Sequence, residues 1–277
     1  MGGTIEPETK TAQGDTMHRM RLFLIAVVVA VAGCAPIDQY PQRALIEPKQ
    51  VVSAIEIEKQ LTDRRDVALP DGEQWFEVIE RAAPIILSAP HSTRPLRNGK
   101  RRFSDGGGTA ALALALGEIT GSTVIYTTYE GPSDPNYYDD NAYKKELARL
   151  VDEKKPLLVL DFHGSHPYRS YDIDIGTMDG VSLLGNEEFL FNFIRHLNDE
   201  GIFSVSYNRF GAEKHGTITK FVSKKGVPVM QLEINATYVT PSAGNIEAQR
   251  FSRLLQGLTR YIEEFLTKQG LEDSTKR

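Results

Sequence analysis

Two histidines stand directly after apolar runs that read as buried strands, His91 after Pro84–Pro90 and His163 after Leu157–Phe162. Imidazole is both a metal ligand and a proton carrier near neutral pH. In open α/β sheets such groups gather outside the carboxyl ends of strands, so both positions point to one crevice. Each histidine has polar neighbours: Ser92 and Thr93 beside the first, Asp161 beside the second. The pair therefore has two readings, a shared metal site or two strand-end histidines satisfied by local hydrogen bonds. A third anchor is Glu233, near the end of the apolar segment Val229-Met-Gln-Leu-Glu233-Ile. A buried carboxylate without a partner is costly. It calls for a cation, a metal's water or a structural arginine.

The elements that must position these groups follow from hydropathy patterning. β-branched apolar runs alternate with amphipathic stretches, the mark of an α/β layer fold. The pattern predicts strands over Trp75–Glu80, Pro84–Ala89, Thr123–Thr128, Leu157–Phe162, Tyr171–Gly176, Phe203–Tyr207 and Val227–Ile234. Helices are predicted over Thr109–Thr120, Asn141–Glu153, Asn186–Asp199, Thr217–Lys224 and Asn245–Thr267. Pro84–Ala89 and Leu157–Leu160 are almost continuously apolar, as expected of central strands covered on both faces. In the last helix Phe251, Leu254, Leu255, Leu258, Tyr261, Ile262 and Phe265 recur at i+3 and i+4, one stripe that docks on the sheet. The expected architecture is a single three-layer α/β/α domain with a central mostly parallel or mixed sheet.

Other polar features carry less. Asp172 and Asp174 make one strand face acidic, a solvated face or a pocket wall. Gly106-Gly-Gly108 lacks the lysine and spacing of a phosphate loop, so close backbone approach beside Asp105 is its expected use. His196 falls within a helix and reads as structural, while His215 precedes Thr217 in a loop that could reach the crevice.

Several segments, in order, resemble the N-formylglutamate amidohydrolase-like family, zinc hydrolases related in fold to the zinc carboxypeptidases. They are Ser88-Ala-Pro-His91-Ser92, Ser104-Asp105-Gly-Gly-Gly-Thr109, Asp134-Pro-Asn136-Tyr137, Leu160-Asp161-Phe-His163-Gly164, Arg169–Thr177, Asn208-Arg-Phe210-Gly211 and Gln231-Leu-Glu233-Ile-Asn235. The resemblance runs from about residue 84 to 240 and implies a phosphorylase/hydrolase-like sheet. It implies zinc held by His91, His163 and a carboxylate, Asp105 or else Asp161, with His166 competing with His163. Three protein ligands and one open position suit a catalytic zinc. Magnesium or manganese is the less suitable metal for two imidazoles. Glu233 would be the general base. Arg169 would steady the developing oxyanion or clamp a substrate carboxylate, and Arg94, Asn136 and Asn208 would line the pocket. The pattern departs from the family at Ser92-Thr93 and at Tyr137, which leaves the substrate open among acylated amino acids, γ-glutamyl peptides and cell-wall peptides.

The N-terminus predicts a location. His18, Arg19 and Arg21 lead into the apolar run Leu22–Gly33, which ends at Cys34. That run is short of the ~20 residues a membrane-crossing helix needs and has the form of a secretory signal. Val31-Ala32-Gly33-Cys34 resembles a lipobox, so residues 1–33 are expected to be removed and Cys34 to carry lipid. Met17 or Met20 is then the better start, and residues 34–48, with several prolines, read as a tether to the domain over 49–277. The expected setting is the bacterial cell envelope, with Ala35 favouring the outer membrane, facing the periplasm. Cys34 is the single cysteine, which excludes an internal disulfide and thiolate zinc clusters. With 37 acidic against 32 basic side chains and no basic block, nucleic acid is not an expected partner. The expected partners are a small-molecule or peptide substrate and the membrane. The competing expectation is an envelope lipoprotein of the same fold that binds a carboxylated ligand or a protein without turnover.

Overall fold

In the computed structural model, which describes residues 44–271 and Gly2, the alternating segments become one sheet between two helical layers. The expected export signal, Cys34 and most of the expected tether lie outside the described residues. In chain order the elements are α1 (Pro48–Arg64), β1 (Phe76–Ile79), β2 (Ala83–Ala89), the hairpin β3 (Leu96–Arg97) and β4 (Lys100–Arg101), and α2 (Gly107–Thr120). There follow β5 (Ser122–Thr127), α3 (Ala142–Lys154), β6 (Leu158–Ser165), β7 (Ile173–Gly176), α4 (Glu187–Asp199), β8 (Val205–Tyr207), α5 (Ile218–Ser223), β9 (Val229–Asn235) and α6 (Asn245–Lys268). The sheet is mixed and seven-stranded, in the order β1-β5-β2-β6-β9-β7-β8. Strands β5, β2, β6 and β9 run parallel, while β1 and β7 pair antiparallel with their inner neighbours. This is the three-layer α/β/α architecture the patterning predicts.

Two elements escape the patterning. Helix α1 buries only Ala54, Glu58 and Leu61, a stripe too narrow to stand out among its charges. Its start is nevertheless written locally: Pro48 occupies the first turn and Glu47 with Gln50 forms a capping box, both standard helix-entry signals. The chain just before it is held too, since Leu45 N–H donates to Gln256 Oε1 at 3.0 Å and Ile46 is buried. The two-residue strands of the β3–β4 hairpin are too short for any period to show.

Side-chain alternation decides where polar groups can sit. On one face of the sheet Leu158, Leu160 and Phe162 of β6, with Leu232 and Ile234 of β9, pack against α1, α2, α4 and α6 in the larger core. On the other face Ile86, Val159 and Val229 meet α3 and α5 in a smaller core. Two residues further along each of these strands the second face turns polar: Ser88, Asp161 and Gln231 stand in register, and His163 aligns with Glu233, which aligns with Asp174. The apolar layer thus ends halfway up the parallel strands. Loops cover the remainder.

Helix α2 docks by its glycines. A Cβ on Gly108 would stand 1.6 Å from the Val239 carbonyl oxygen, and one on Gly107 would stand 2.5 Å from the Glu58 carbonyl oxygen. Because both obstacles are backbone, relief requires moving an element, at a cost of about 1–3 kcal/mol or more. Gly108→Ala is expected to lower the urea midpoint correspondingly, and an unchanged midpoint would show that α2 is seated differently.

Candidate active site

The segment after β2 leaves the sheet, forms the β3–β4 hairpin and returns to its starting point. Asp105 N–H donates to the His91 carbonyl at 2.8 Å, and Ser104 Oγ donates to the carbonyls of His91 and Ser92 at 3.1 and 2.7 Å. This closure sets Asp105 beside His91 although 14 positions separate them in the chain. From the neighbouring strand, Gly164 gives Asp105 room: a Cβ there would be 2.5 Å from the Asp105 carbonyl oxygen. His163 lies inside β6, which runs on to Ser165, rather than just beyond the strand as the patterning predicts.

These two strand ends bring His91, Asp105 and His163 together, with one ligand atom from each lying within 4.8 Å of the others. All three side chains are buried. Asp105 Oδ2 is 3.0 Å from His163 Nδ1 and 3.3 Å from His91 Nδ1, yet His91 Nδ1 makes no hydrogen bond. The outward ring atoms are separately held. His91 Nε2 lies 2.7 Å from Asp134 Oδ1, and His163 Nε2 lies 3.0 Å from Asp161 Oδ2. A carboxylate on Nε2 fixes the ring and leaves the Nδ1 lone pair for the centre, the usual support of a metal-bound imidazole. Asp161 is itself fixed by Ser88 Oγ at 2.8 Å. Of the two candidate carboxylates, Asp105 is the one that reaches both inner nitrogens, and Asp161 stands behind His163.

The charges explain why such a cluster calls for a cation. Burial pushes the Asp105 carboxyl up, but Arg102, His91 and His163 together hold it well below the usual range. Asp134 behaves alike: burial raises it, and His91 and Arg97 overcome that and lower it. His163 is opposed by burial yet raised well above the ordinary histidine value by Asp161, Asp105 and Glu233. The acids outweigh the desolvation of this imidazole. Glu233 is different. Burial, with help from the Asp105 charge, pushes its carboxyl up to about 7 despite His163, Arg102 and His91. Its Oε1 accepts a hydrogen bond from Gln231 Nε2 at 3.1 Å. A carboxyl poised near neutrality beside a cation site is suited to moving protons.

Asn136, expected to line the pocket, lies beside the cluster. Its Nδ2 is 3.3 Å from His163 Nε2, and its Oδ1 accepts from Ile218 N–H at 2.7 Å. Arg169 is exposed, with its guanidinium 5.0 Å from the Phe210 ring centroid. Arg94 is engaged elsewhere, its guanidinium bonded to Asp66 Oδ1 at 2.8 Å, and among the described residues no hydrogen bond or ion pair ties that side chain to the cluster. Asn208 serves the backbone: its Oδ1 accepts from Thr177 N–H at 2.7 Å, and its own N–H donates to Ile175. His166 is exposed and packs on Tyr168, which leaves His163 as the inner histidine. His196 pairs with Glu264 at 2.8 Å and is structural. His215 stacks on Tyr137 at 4.2 Å.

Three contributors carry no expectation from the sequence. Arg102 Nη1 bonds Asp105 Oδ1 at 2.8 Å, and Arg97 Nε bonds Asp134 Oδ2 at 2.7 Å. Lys144 is fully buried on α3 and bonds both Asp139 and the Gly216 carbonyl, tying together the loops that follow β5 and β8. Only Asp134 had a usable signal, the Asp134-Pro-Asn136 turn. Its Oδ1 also accepts from Asn136 N–H at 2.9 Å.

No protein-family model matches the chain, and no curated protein sequence matches it. Solved structures similar to it include N-formylglutamate amidohydrolase from Ralstonia eutropha JMP134, with TM-score 0.48 and 14% identity over 70% of this chain and 98% of that one. A bacteriophage poly-gamma-glutamate hydrolase has TM-score 0.44 and 19% identity over 71% and 90% of the two chains. A metallo-carboxypeptidase from Burkholderia cenocepacia has TM-score 0.42 and 11% identity over 72% and 60%. Likeness at this level does not decide chemistry; the side chains must.

Gly164→Ala tests the seating of Asp105. The methyl group would push the Asp105 backbone away from His163, and loss of such supporting geometry typically costs 10–100-fold in metal affinity. Zinc titration is expected to show a loss of that size with secondary structure retained, and unaltered affinity would remove Asp105 from the centre.

Proposed function

We propose that this chain is a zinc-dependent hydrolase of an amide or peptide bond in an N-acyl amino acid or small peptide that bears a carboxylate. The observation that carries the proposal is the orphaned His91 Nδ1, buried 3.3 Å from an Asp105 oxygen that it shares with His163 Nδ1. The donor set fits zinc: two imidazole nitrogens and one carboxylate oxygen, each with a fixed outer partner. When bound, the metal polarises a carbonyl group and a water.

The chain's own groups account for the rest of the reaction. Asp134 and Asp161 hold the two imidazoles in the tautomer that points Nδ1 inward. Arg102 offsets the charge of Asp105, so the carboxylate stays ionised although buried. Glu233 takes the proton of the attacking water on its carboxylate and gives it to the departing amine nitrogen, as a general base and then a general acid. Its place beside His163 in strand register supports that role, since register partners share one face of the sheet. Arg169 is the group proposed to meet the substrate's carboxylate, for which a guanidinium offers paired hydrogen bonds.

The proposal extends to location. Residues 1–33 would direct export and Cys34 would anchor the domain by lipid to the cell envelope. Labelled palmitate should enter the wild-type chain and not Cys34→Ala, and equal labelling of both would rule the anchor out.

The catalytic test is made on the chain from residue 35 onward beside its variants. One zinc per chain is expected in wild type, lost in His91→Ala and His163→Ala. Glu233→Gln should retain the metal and lose at least 100-fold in turnover on a panel of N-acyl amino acids and peptides. An active Glu233→Gln protein would remove Glu233 from the mechanism, and a metal-loaded wild type that cleaves nothing would leave a binding protein.

A further inference from the structure

Helices α4 and α6 run antiparallel over the larger core, as the contacts Phe189–Phe265, Phe193–Tyr261 and Glu200–Gln256 show. At one end they meet closely. A Cβ on Gly257 would stand 3.3 Å from the His196 carbonyl oxygen, a tight contact that a residue without a side chain avoids. Toward the start of α4 and the end of α6 the spacers are the rings of Phe189, Tyr261 and Phe265, and helix separation follows the size of the side chains at the contact. A cavity of about 170 Å³ opens there, lined by Glu188, Phe189 and Asn192 of α4 and by Tyr261, Phe265 and Lys268 of α6, with Glu264 beside them. Intervals of three and four along each helix put these side chains on one shared face.

Three polar groups on that face lack partners. The Tyr261 side chain is 2% exposed, and its hydroxyl is shielded from solvent without a hydrogen bond. Burial raises its pKa, and the charge of Glu188 adds to that. The Glu188 carboxylate and the Asn192 amide likewise have no side-chain hydrogen bond or ion pair among the described residues. A hydroxyl buried without a partner costs about 1–3 kcal/mol, and it persists where something outside the fold satisfies it.

The charges leave one acid over. Burial pushes the Glu264 carboxyl up, but Lys268, Arg195 and His196 all bond it and bring it down to about 2. Lys268, the one base lining the cavity, is therefore occupied with Glu264. Glu188 remains uncompensated. The first turn of α4 favours an acid at that place, which accounts for the charge but not for the orphaned phenol that shares the cavity with it.

A primary ammonium group carries three N–H donors and no acceptor. The wall offers it three acceptors, the Glu188 carboxylate and the oxygens of Tyr261 and Asn192. Phe189 and Phe265, edge to face at 4.9 Å, supply apolar surface for an alkyl chain and ring faces for the charge. An anion would meet Glu188 unpaired, and a neutral alcohol would leave that carboxylate uncompensated. Pockets for drug-sized ligands hold about 300–1,000 Å³, so this one suits a group of a few heavy atoms.

We propose that the cavity between α4 and α6 binds a primary ammonium group on a short alkyl chain, with Glu188, Tyr261 and Asn192 accepting its N–H bonds and the rings of Phe189 and Phe265 against the chain. The site is separate from the metal cluster and stands or falls without the hydrolase reading. A free alkylamine and the lysine side chain of a peptide share this chemistry.

The test is an NMR titration of the protein with n-butylammonium and, as its neutral isostere, 1-butanol, at constant ionic strength. Saturable shifts are expected in the amides of α4 and α6, with the ammonium binding about tenfold tighter or more than the alcohol. Glu188→Gln, a change at an exposed side chain, should weaken n-butylammonium at least about fivefold and leave zinc affinity unaltered. Tyr261→Phe should weaken it severalfold while melting no lower than wild type. No saturable shift, equal binding of the two probes, or an unchanged affinity in Glu188→Gln would overturn the site. So would a clear fall in the melting temperature of Tyr261→Phe, since that hydroxyl would then be satisfied by the fold. A parallel titration with Nα-acetyl-lysine amide separates the two sources: tighter binding than n-butylammonium upholds the site as one for a peptide's lysine, and weaker binding upholds it as one for a free amine.

Discussion

A single carboxylate oxygen, Asp105 Oδ2, stands between the inner nitrogens of two buried imidazoles, and the architecture around it serves to keep it there. Burying an acid is expensive unless charge and hydrogen bonds compensate it. Here compensation comes from Arg102 on one side and from the histidines on the other. The histidines are compensated in turn by Asp134 and Asp161, and these by Arg97 and Ser88. The chain of dependence runs outward until it reaches solvent, and each link is a charge or a dipole that would be unfavourable alone. Such a network leaves two inner imidazole nitrogens and one carboxylate oxygen facing one another at its centre, a donor set that suits a cation.

The sheet makes this possible by withholding apolar cover. The smaller core stops at Ile86, Val159 and Val229, and the next residues on the same face are Ser88, Asp161 and Gln231, followed by His163 and Glu233. Had the helices of that layer extended further, these groups would have needed partners from helix side chains. Loops instead bring backbone amides and short polar side chains, which adapt more readily to a charged interior. The buried Lys144 ties two of those loops together through Asp139 and the Gly216 carbonyl.

The strands and most helices were legible because their burial repeats: the α6 stripe from Phe251 to Phe265 and the runs at Pro84–Ala89 and Leu157–Leu160 declare both period and depth. The residues of the centre were legible as types at strand ends, with the resemblance supplying their order. Helix α1 was not, since it buries three side chains and its capping box lies in a stretch of prolines and charges. Arg102 was not, because an arginine among four basic residues in Lys100-Arg-Arg-Phe103 and the nearby Arg97 has no pattern that marks which of them turns inward. Asn208 shows the converse, since a polar residue in a matching motif can be occupied by its own fold.

The order of the strands has a kinetic consequence. The cluster draws His91 and His163 from the ends of β2 and β6 and Asp105 from the loop before α2, with Asp161 from β6, Asp134 from the turn after β5, and Glu233 from β9, which enters the sheet between β6 and β7 late in the chain. Pairings between parts of the chain so far apart form slowly, because loop closure must precede the contacts that reward it. A chain that has not yet inserted β9 has no complete site. On the proposed reading, metal uptake would belong to the last stage of folding, and its binding energy would add only to the finished structure and to none of the partly folded states that compete with it. The ion would act as a lock on a completed assembly and could not serve as a nucleus for building it.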